Sequence, residues 1–275
     1  LHLFGRYGIT MFAMSGVDIA LWDILAKHSK LPLCNVLGSS GKKKMPAYAS
    51  LWRYEDVEAV QDRCNHAREL GYNYIKLHEI FTPEVEAARK ILGDDIPIMV
   101  DTNCPWTKDQ ARQILSEWED FNLYWVEEPI NPPEDFESLS HLRSESLIPI
   151  AAGENACTSF EFKKMFEYDA VDYAQPSVTK VGGITEFKKI ISVAETFGVQ
   201  VMPHSPYFGP GFLATLHLSQ SLPNSGLLER FFIDFEAYIY PEQIFNPKSG
   251  SFEIPNGIGL GFDPDINVLK DYRVN

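Results

Sequence analysis

With 275 residues, 45% of them apolar, and a net charge of −14, the chain is long enough for one large barrel or two small domains and too acidic to suit a nucleic-acid partner. Its longest apolar stretches read as shorter than a membrane span, and no charged-then-apolar leader opens it, so the reading is a soluble protein without a membrane partner. Four scattered cysteines without a C-x-x-C pair support neither a disulfide framework nor a zinc site and point to a reducing cytoplasm.

The chain opens on Leu1 in mid-pattern with no helix cap, which leads us to expect residues upstream. Thr10 to Leu37 carry one long amphipathic helical pattern. From Pro46 onward short β-branched or aromatic runs alternate with segments of helical period. PAYASL leads into a helix from Glu55 to Leu70, closed by Gly71; NYIKLHE reads as a strand, and Pro83 opens the next helix. IPIMVD, LYWVEEP and IPIAAGE follow, separated by helices over Thr107 to Glu119, Glu134 to Ser144 and Thr158 to Glu167. VDYAQPS, VQVMPHS and GLLERF complete the strands, with helices from Gly183 to Phe197 and Gly211 to Gln220 between them. A doubly wound open sheet also alternates, but so many units of similar length favour a closed barrel. The tail beyond Phe232 is rich in aromatics, Pro and Gly and reads as an irregular wrapping segment.

Three of the strand segments end in a carboxylate. Asp101, Glu127 and Glu154 stand 26 and 27 residues apart, about one β/α unit each. In a parallel barrel all three emerge at the carboxyl rim, where barrel enzymes place their chemistry, and three oxygen ligands there suit a hard cation such as Mg²⁺. Lys76 and His78, two apart on one strand, share a face.

GVDIALWDILAK, YIKLHE, MVDTN, WVEEP, GEN, QPSVTKVGGIT, MPHS and LLER occur in this order. Together they resemble the enolase superfamily, in its mandelate racemase-like branch. The resemblance implies a (β/α)7β modified TIM barrel, one Mg²⁺, and removal of the proton α to a carboxylate to give a metal-stabilised enediolate. It further implies an α+β capping domain whose N-terminal part would precede Leu1. The expected division is a linking helical segment over 1–44, the barrel over 45–232, and a C-terminal segment over 233–275 packing on the capping domain. Homo-oligomers are common in the family.

By the same resemblance Asp101, Glu127 and Glu154 are metal ligands, and Glu128, facing the other way, either supports them or pairs with a lysine. Lys76 and His78 match a K-x-K motif whose second position is the usual base; an imidazole can fill that role near neutral pH. His204 matches the histidine of a His-Asp dyad, but Ser177 stands where the aspartate belongs. A serine hydroxyl can orient an imidazole without stabilising its charge, which makes His204 a better acid or donor than base. Lys180 is read as a supporting group. Glu229 matches a glutamate that hydrogen-bonds the substrate carboxylate, which needs a protonated carboxyl of raised pKa; pairing with Arg230 is the plainer alternative. Asn103 matches a position touching metal-bound substrate. Tyr207 and Phe208 are placed to line the pocket, and Gly182-Gly183 presents free N–H groups or simply makes a tight turn.

One base on one face, Lys76 or by preference His78, and a histidine without its carboxylate on the other favour dehydration of a sugar acid by a Mg²⁺-dependent hydro-lyase. The alternatives are a racemase or epimerase of a hydroxy acid or amino-acid derivative, and a metal-binding barrel without turnover.

Overall fold

Eight parallel strands pair in the order β7-β6-β5-β4-β3-β2-β1-β8, so each strand lies beside its sequence neighbours and β1 bridges β2 and β8. They are β1 (Lys44–Ser50), β2 (Ile75–Leu77), β3 (Ile98–Asp101), β4 (Leu123–Glu127), β5 (Ile150–Ala152), β6 (Tyr173–Ala174), β7 (Gln200–Val201) and β8 (Leu228–Phe231). The computed structural model describes residues 3, 5–39, 41, 43–222 and 226–274. The helices α3 (Val57–Glu69), α4 (Thr82–Leu92), α5 (Lys108–Glu117), α6 (Phe136–Glu145), α7 (Ser159–Glu167), α8 (Gly183–Phe197) and α9 (Pro210–Ser221) follow the first seven strands in turn. This is the (β/α)7β barrel expected from the alternation.

Local sequence explains most of the helix starts. The Asp56 side chain accepts the Ala59 N–H and caps α3; Thr107 and Gln110 form a reciprocal capping box at α5; Thr158 caps α7. The strands are apolar on both faces because helices cover the outside and side chains fill the inside. Inside, Tyr48, Met99, Trp125, Ala151, Met202 and Leu227 form a buried layer beneath the carboxyl rim. The Tyr48 and Trp125 rings meet edge to face at 6.1 Å there.

Among the described residues no backbone hydrogen bond joins β7 to β8. That seam is held by the Leu227 N–H on the Met202 sulfur at 3.3 Å and the Ser205 N–H on Glu229 Oε2 at 3.0 Å. Asp101 pairs with Glu127 in register, and Tyr48 with Glu229 and Ser50 with Lys76 likewise, so the strand ends carry their polar side chains to one rim.

Thr10 to Leu37 differs from the expected single amphipathic helix. It is split into α1 (Ile9–Ser29) and α2 (Leu33–Val36), with Lys30 in a left-handed conformation between them. The break is local, with Lys30 and Leu31 N–H folding back on the Lys27 and Ala26 carbonyls and Pro32 unable to continue the helix, and the far end of the chain braces it: Leu33 N–H donates to the Gly259 carbonyl and Gly259 N–H to that of Leu31. Nor is α1 amphipathic. Met11, Ile19 and Ala26 are buried while Val17, Leu21 and Ile24 are exposed. By length and composition α1 is apolar enough to cross a membrane, which corrects the expectation that every apolar stretch falls short of a span. It carries Asp18, Asp23 and Lys27, and it docks on the start of α8: Ser15 Oγ accepts the Gly182 N–H and Asp18 Oδ1 the Thr185 N–H. The Gly182-Gly183 pair therefore receives α1, and any Cβ on Gly183 would lie 2.4 Å from the Asp18 carboxylate.

The C-terminal segment runs back along this face. Its strand β9 (Ser251–Glu253) pairs antiparallel with the start of β1, Leu260 N–H caps Asp23 at 2.8 Å, and Lys27 reaches Asp263 at 2.7 Å. A short helix, α10 (Ile266–Asp271), follows.

Candidate active site

Asp101 closes β3, Glu127 closes β4, and Glu154 stands two residues beyond β5. One oxygen from each lies within 4.8 Å of the others. Gly153 makes the turn to Glu154 at φ 135°, and a Cβ there would sit 2.9 Å from the Gln175 backbone nitrogen, so only glycine fits.

The neighbours of the trio are fixed by hydrogen bonds. Asp101 Oδ1 accepts both the backbone N–H and the side-chain amide of Asn103, each at 3.0 Å. Glu127 Oε2 accepts the indole N–H of Trp125 from the layer below at 3.0 Å. Lys76, fully buried, lies 3.0 Å from Glu127, 3.2 Å from Glu229 and 3.4 Å from Asp101. Glu154 Oε2 lies 2.7 Å from His204 Nε2, and Asp101 Oδ2 lies 3.2 Å from His78 Nε2. In the cyclic order of strands the two imidazoles flank the three carboxylates, one on the β2 side and one on the β7 side.

Charge balance in this cluster favours a cation. Four carboxylates, Asp101, Glu127, Glu154 and Glu229, face the single ammonium of Lys76. Burial alone would lift every carboxyl here. Lys76 and His78 outweigh it at Asp101, and His204 outweighs it at Glu154, so both are held below the ordinary range. At Glu127 burial wins and the carboxyl is pushed well above it, despite Lys76. A buried carboxyl short of positive charge, beside two ionised ones, is a donor set that fits a hard divalent cation.

Lys76 itself stays charged: burial opposes its proton, but Glu127 and Glu229 raise its pKa well above the lysine value. It is an ammonium held by three carboxylates.

His78 Nδ1 faces the Leu51 carbonyl at 2.5 Å, so Nδ1 carries a proton, and Nε2, beside Asp101, is the nitrogen left to exchange one. His78 and His204 both line a cavity of about 710 Å³ together with Asp101, Asn103, Glu154 and Glu229.

Several expected details differ. Glu229 was expected to need a raised pKa; burial does push it up, but Lys76 and His204 bring it down to about 2. It is an ionised acceptor, bound to Lys76 and the Ser205 N–H, and not a partner of Arg230, which pairs with Asp234. Ser177 does not orient His204. Its hydroxyl bonds Tyr207 Oη at 2.6 Å and Thr179 Oγ1 at 3.1 Å, and the buried His204 Nδ1 has no partner among the described residues. Tyr207 reaches His204 only ring to ring, at 5.9 Å. Phe208 faces away into an aromatic cluster with Phe235 and Phe245.

Glu128, in a left-handed conformation, meets no lysine among the described residues; it accepts the Gly153 N–H at 2.9 Å and a contact from the Cys104 thiol. Burial pushes its carboxyl up to about 7. Lys180 lines a second cavity behind Glu154.

The sequence reading missed three residues. Trp125 supports Glu127 from below. Arg53 donates from the β1 loop to the carbonyls of His78 and Thr102, and buried Glu79 accepts two backbone N–H groups of that loop. The alternation of β4 puts Trp125 and Glu127 on one face, which is a usable signal; the other two carry none.

A (β/α)7β barrel with three rim carboxylates, a buried lysine and two flanking histidines defines a class of enzyme that works on an acidic carbon beside a carboxylate. Comparison with known proteins agrees. Residues 59–268 match the family model described as enolase C-terminal domain-like, and residues 3–38 match that of the mandelate racemase / muconate lactonizing enzyme N-terminal domain. The chain belongs to the mandelate racemase-like branch of the enolase superfamily.

It is 33% identical to the arabinonate dehydratase of Saccharolobus solfataricus over 98% of this chain and 74% of that one. It is similar in structure to the 3,6-anhydro-D-galactonate cycloisomerase of Zobellia galactanivorans, with TM-score 0.92 and 30% identity over 99% of this chain and 78% of that one. It also resembles the L-talarate dehydratase of Polaromonas sp., solved with Mg and L-glucarate, at TM-score 0.86 and 30% identity over 100% of this chain and 76% of the other.

Proposed function

We infer that this chain is a Mg²⁺-dependent acid-sugar dehydratase. The observation that carries the reading is that two imidazoles flank the carboxylate trio, each bonded to a different end member, with unlike surroundings. His78 has its Nδ1 committed to a carbonyl, so Nε2, beside Asp101, is where it exchanges a proton. His204 has no carboxylate behind its Nδ1, and its Nε2 is turned to Glu154, so its exchangeable proton sits on the nitrogen that faces the site, which suits a proton donor.

A divalent cation held by Asp101, Glu127 and Glu154 would supply positive charge to the substrate carboxylate as the α-proton leaves. The Lys76 ammonium adds to that field from the side of Glu229. His78 Nε2 takes the α-proton, and His204 Nε2 protonates the departing β-hydroxyl. Water leaves, and the resulting enol becomes a 2-keto-3-deoxy acid. Asp101 is kept in place by Asn103, and Glu127 by Trp125.

The dehydratases among its relatives support the elimination reading. A second reading, isomerisation by two bases, is favoured by the presence of an imidazole at both ends and by a cycloisomerase among the similar structures. Incubating a panel of aldonates and aldarates with the protein and Mg²⁺ separates the two. Keto-acid formation is expected; an epimerised or cyclised acid without keto acid would replace dehydration by isomerisation.

A further inference from the structure

We propose that Arg53 and Glu79 form a reciprocal clasp across the ends of β1 and β2 that positions His78; this rests on the reading of His78 as the proton acceptor. Arg53 lies three residues beyond β1. Its Nε donates to the His78 carbonyl, and its Nη2 donates to the Thr102 carbonyl at 3.1 Å and to Asn103 Oδ1 at 3.2 Å. Glu79 crosses in the opposite direction. Its Oε1 accepts the Tyr54 N–H at 2.7 Å and its Oε2 the Glu55 N–H at 3.1 Å.

The residues on either side of Arg53 and His78 are thus tied together twice, by side chains running opposite ways. Next to the two crossings, on the strand side, lies the contact that matters for chemistry, the Leu51 carbonyl on His78 Nδ1.

The clasp has features that simple loop packing does not require. Glu79 is fully buried, and a carboxylate out of water with two backbone donors is an expensive way to close a turn. Directly after the two donors, Glu55 itself adopts φ 53°, a left-handed conformation that costs a non-glycine residue on the order of 1 kcal/mol.

The return is a fixed imidazole. A histidine ring stands two rotatable bonds from its backbone, so the place of Nε2 follows from where the residue 78 backbone and the Nδ1 anchor are held. Arg53 holds the first, and the loop that Glu79 pins holds the second. The ring's other neighbours are Asp101 and, more loosely, the Phe231 ring at 6.4 Å between centroids. With the Leu51 carbonyl on Nδ1, the ring keeps a proton there, which leaves Nε2 as the nitrogen that exchanges one.

The test compares Arg53→Ala, Arg53→Lys and Glu79→Gln with the wild type by α-proton exchange in D₂O, by Mg²⁺ calorimetry and by the ¹⁵N spectrum of the His78 ring, assigned with His78→Gln. Arg53→Ala and Glu79→Gln are each expected to lower kcat for exchange about 10²-fold with KM changed less than about twofold, the size of loss that misplacing a catalytic group brings. Arg53→Lys, which keeps one donor in place of several, is expected to fall between. In Arg53→Ala and Glu79→Gln the ring should pass from a single Nδ1–H tautomer to a mixture. Glu79→Gln should leave Mg²⁺ affinity unchanged, because Glu79 touches no metal-facing residue.

A rise in KM with kcat intact in Arg53→Ala would assign Arg53 to substrate binding and overturn the clasp. So would a His78 ring spectrum unchanged in both variants. If the wild type exchanges no α-proton with any acid, the reading of His78 as base fails by itself, and the ring spectrum still decides whether the clasp holds the imidazole.

Discussion

His204 Nε2 lies 2.7 Å from Glu154 Oε2, while its Nδ1 is buried without a partner among the described residues. The ring is therefore aimed by a carboxylate of the metal trio at one nitrogen and supported by none at the other. His78 is the reverse case, anchored at Nδ1 by a carbonyl. This asymmetry divides the work. Replacing His204 with Asn is expected to reduce keto-acid formation by about 10²–10⁴-fold, the usual worth of a general acid, while α-proton exchange falls less than about fivefold. Following deuterium uptake and keto acid in one reaction checks this; equal loss of both would move the base to His204.

Removing a carboxylate of the trio acts on the metal first. Asp101→Asn and Glu127→Gln are expected to abolish Mg²⁺ binding. At a Mg²⁺ concentration of about 100 times Kd the wild type gains about 2.7 kcal/mol, seen as a raised Tm that EDTA reverses. Calorimetric scans of the two variants with and without Mg²⁺ should superimpose.

His217, on α9, lines no part of this site and contributes to acid stability. Burial lowers its pKa to about 4, and its Nδ1 accepts the Cys34 N–H at 3.2 Å. In the unfolded chain the ring takes its proton near pH 6.5, and in the folded protein only near 4. Between those values the unfolded state binds more protons, so stability is complete above about pH 6.5 and declines as pH falls toward 4, by roughly 3 kcal/mol in all. His217→Asn removes the titration, and the variant's urea midpoint is expected to be flatter across this range than that of the wild type.

Ser177→Ala is expected to cost about 1 kcal/mol through loss of the Tyr207 hydrogen bond and to change turnover less than about twofold, because the hydroxyl bonds Tyr207 and Thr179 and not His204. Urea unfolding and steady-state rates on the same preparation check both halves. A large loss of turnover would put Ser177 back behind His204.

What could be read from the sequence was what neighbours along the chain decide. Asp56, Thr107 and Thr158 cap helices whose first turns lie beside them, and Asp101 and Glu127 end strands whose apolar runs announce them. The break after α1 was legible in Pro32, which cannot continue a helix, but not the tie across it, because Gly259, at the other end of the chain, supplies the bonds to Leu31 and Leu33. Arg53 and Glu79 meet only once β1 and β2 lie side by side. The protonation of Glu229 was misjudged for the same reason: its ionised form is held by Lys76 on β2, across the intervening strand. Distant pairings of this kind leave no periodicity to detect.

The seam between β7 and β8 gives the barrel a direction in which it can yield. Every other pair of adjacent strands shares ladder hydrogen bonds, so parting them breaks backbone bonds. Across this seam the ties are a sulfur and a carboxylate. His204 stands on one bank and Glu229 on the other, so parting the barrel here would stretch two side-chain contacts and leave the backbone ladder of β3 to β5, which carries the metal-binding arc, unbroken.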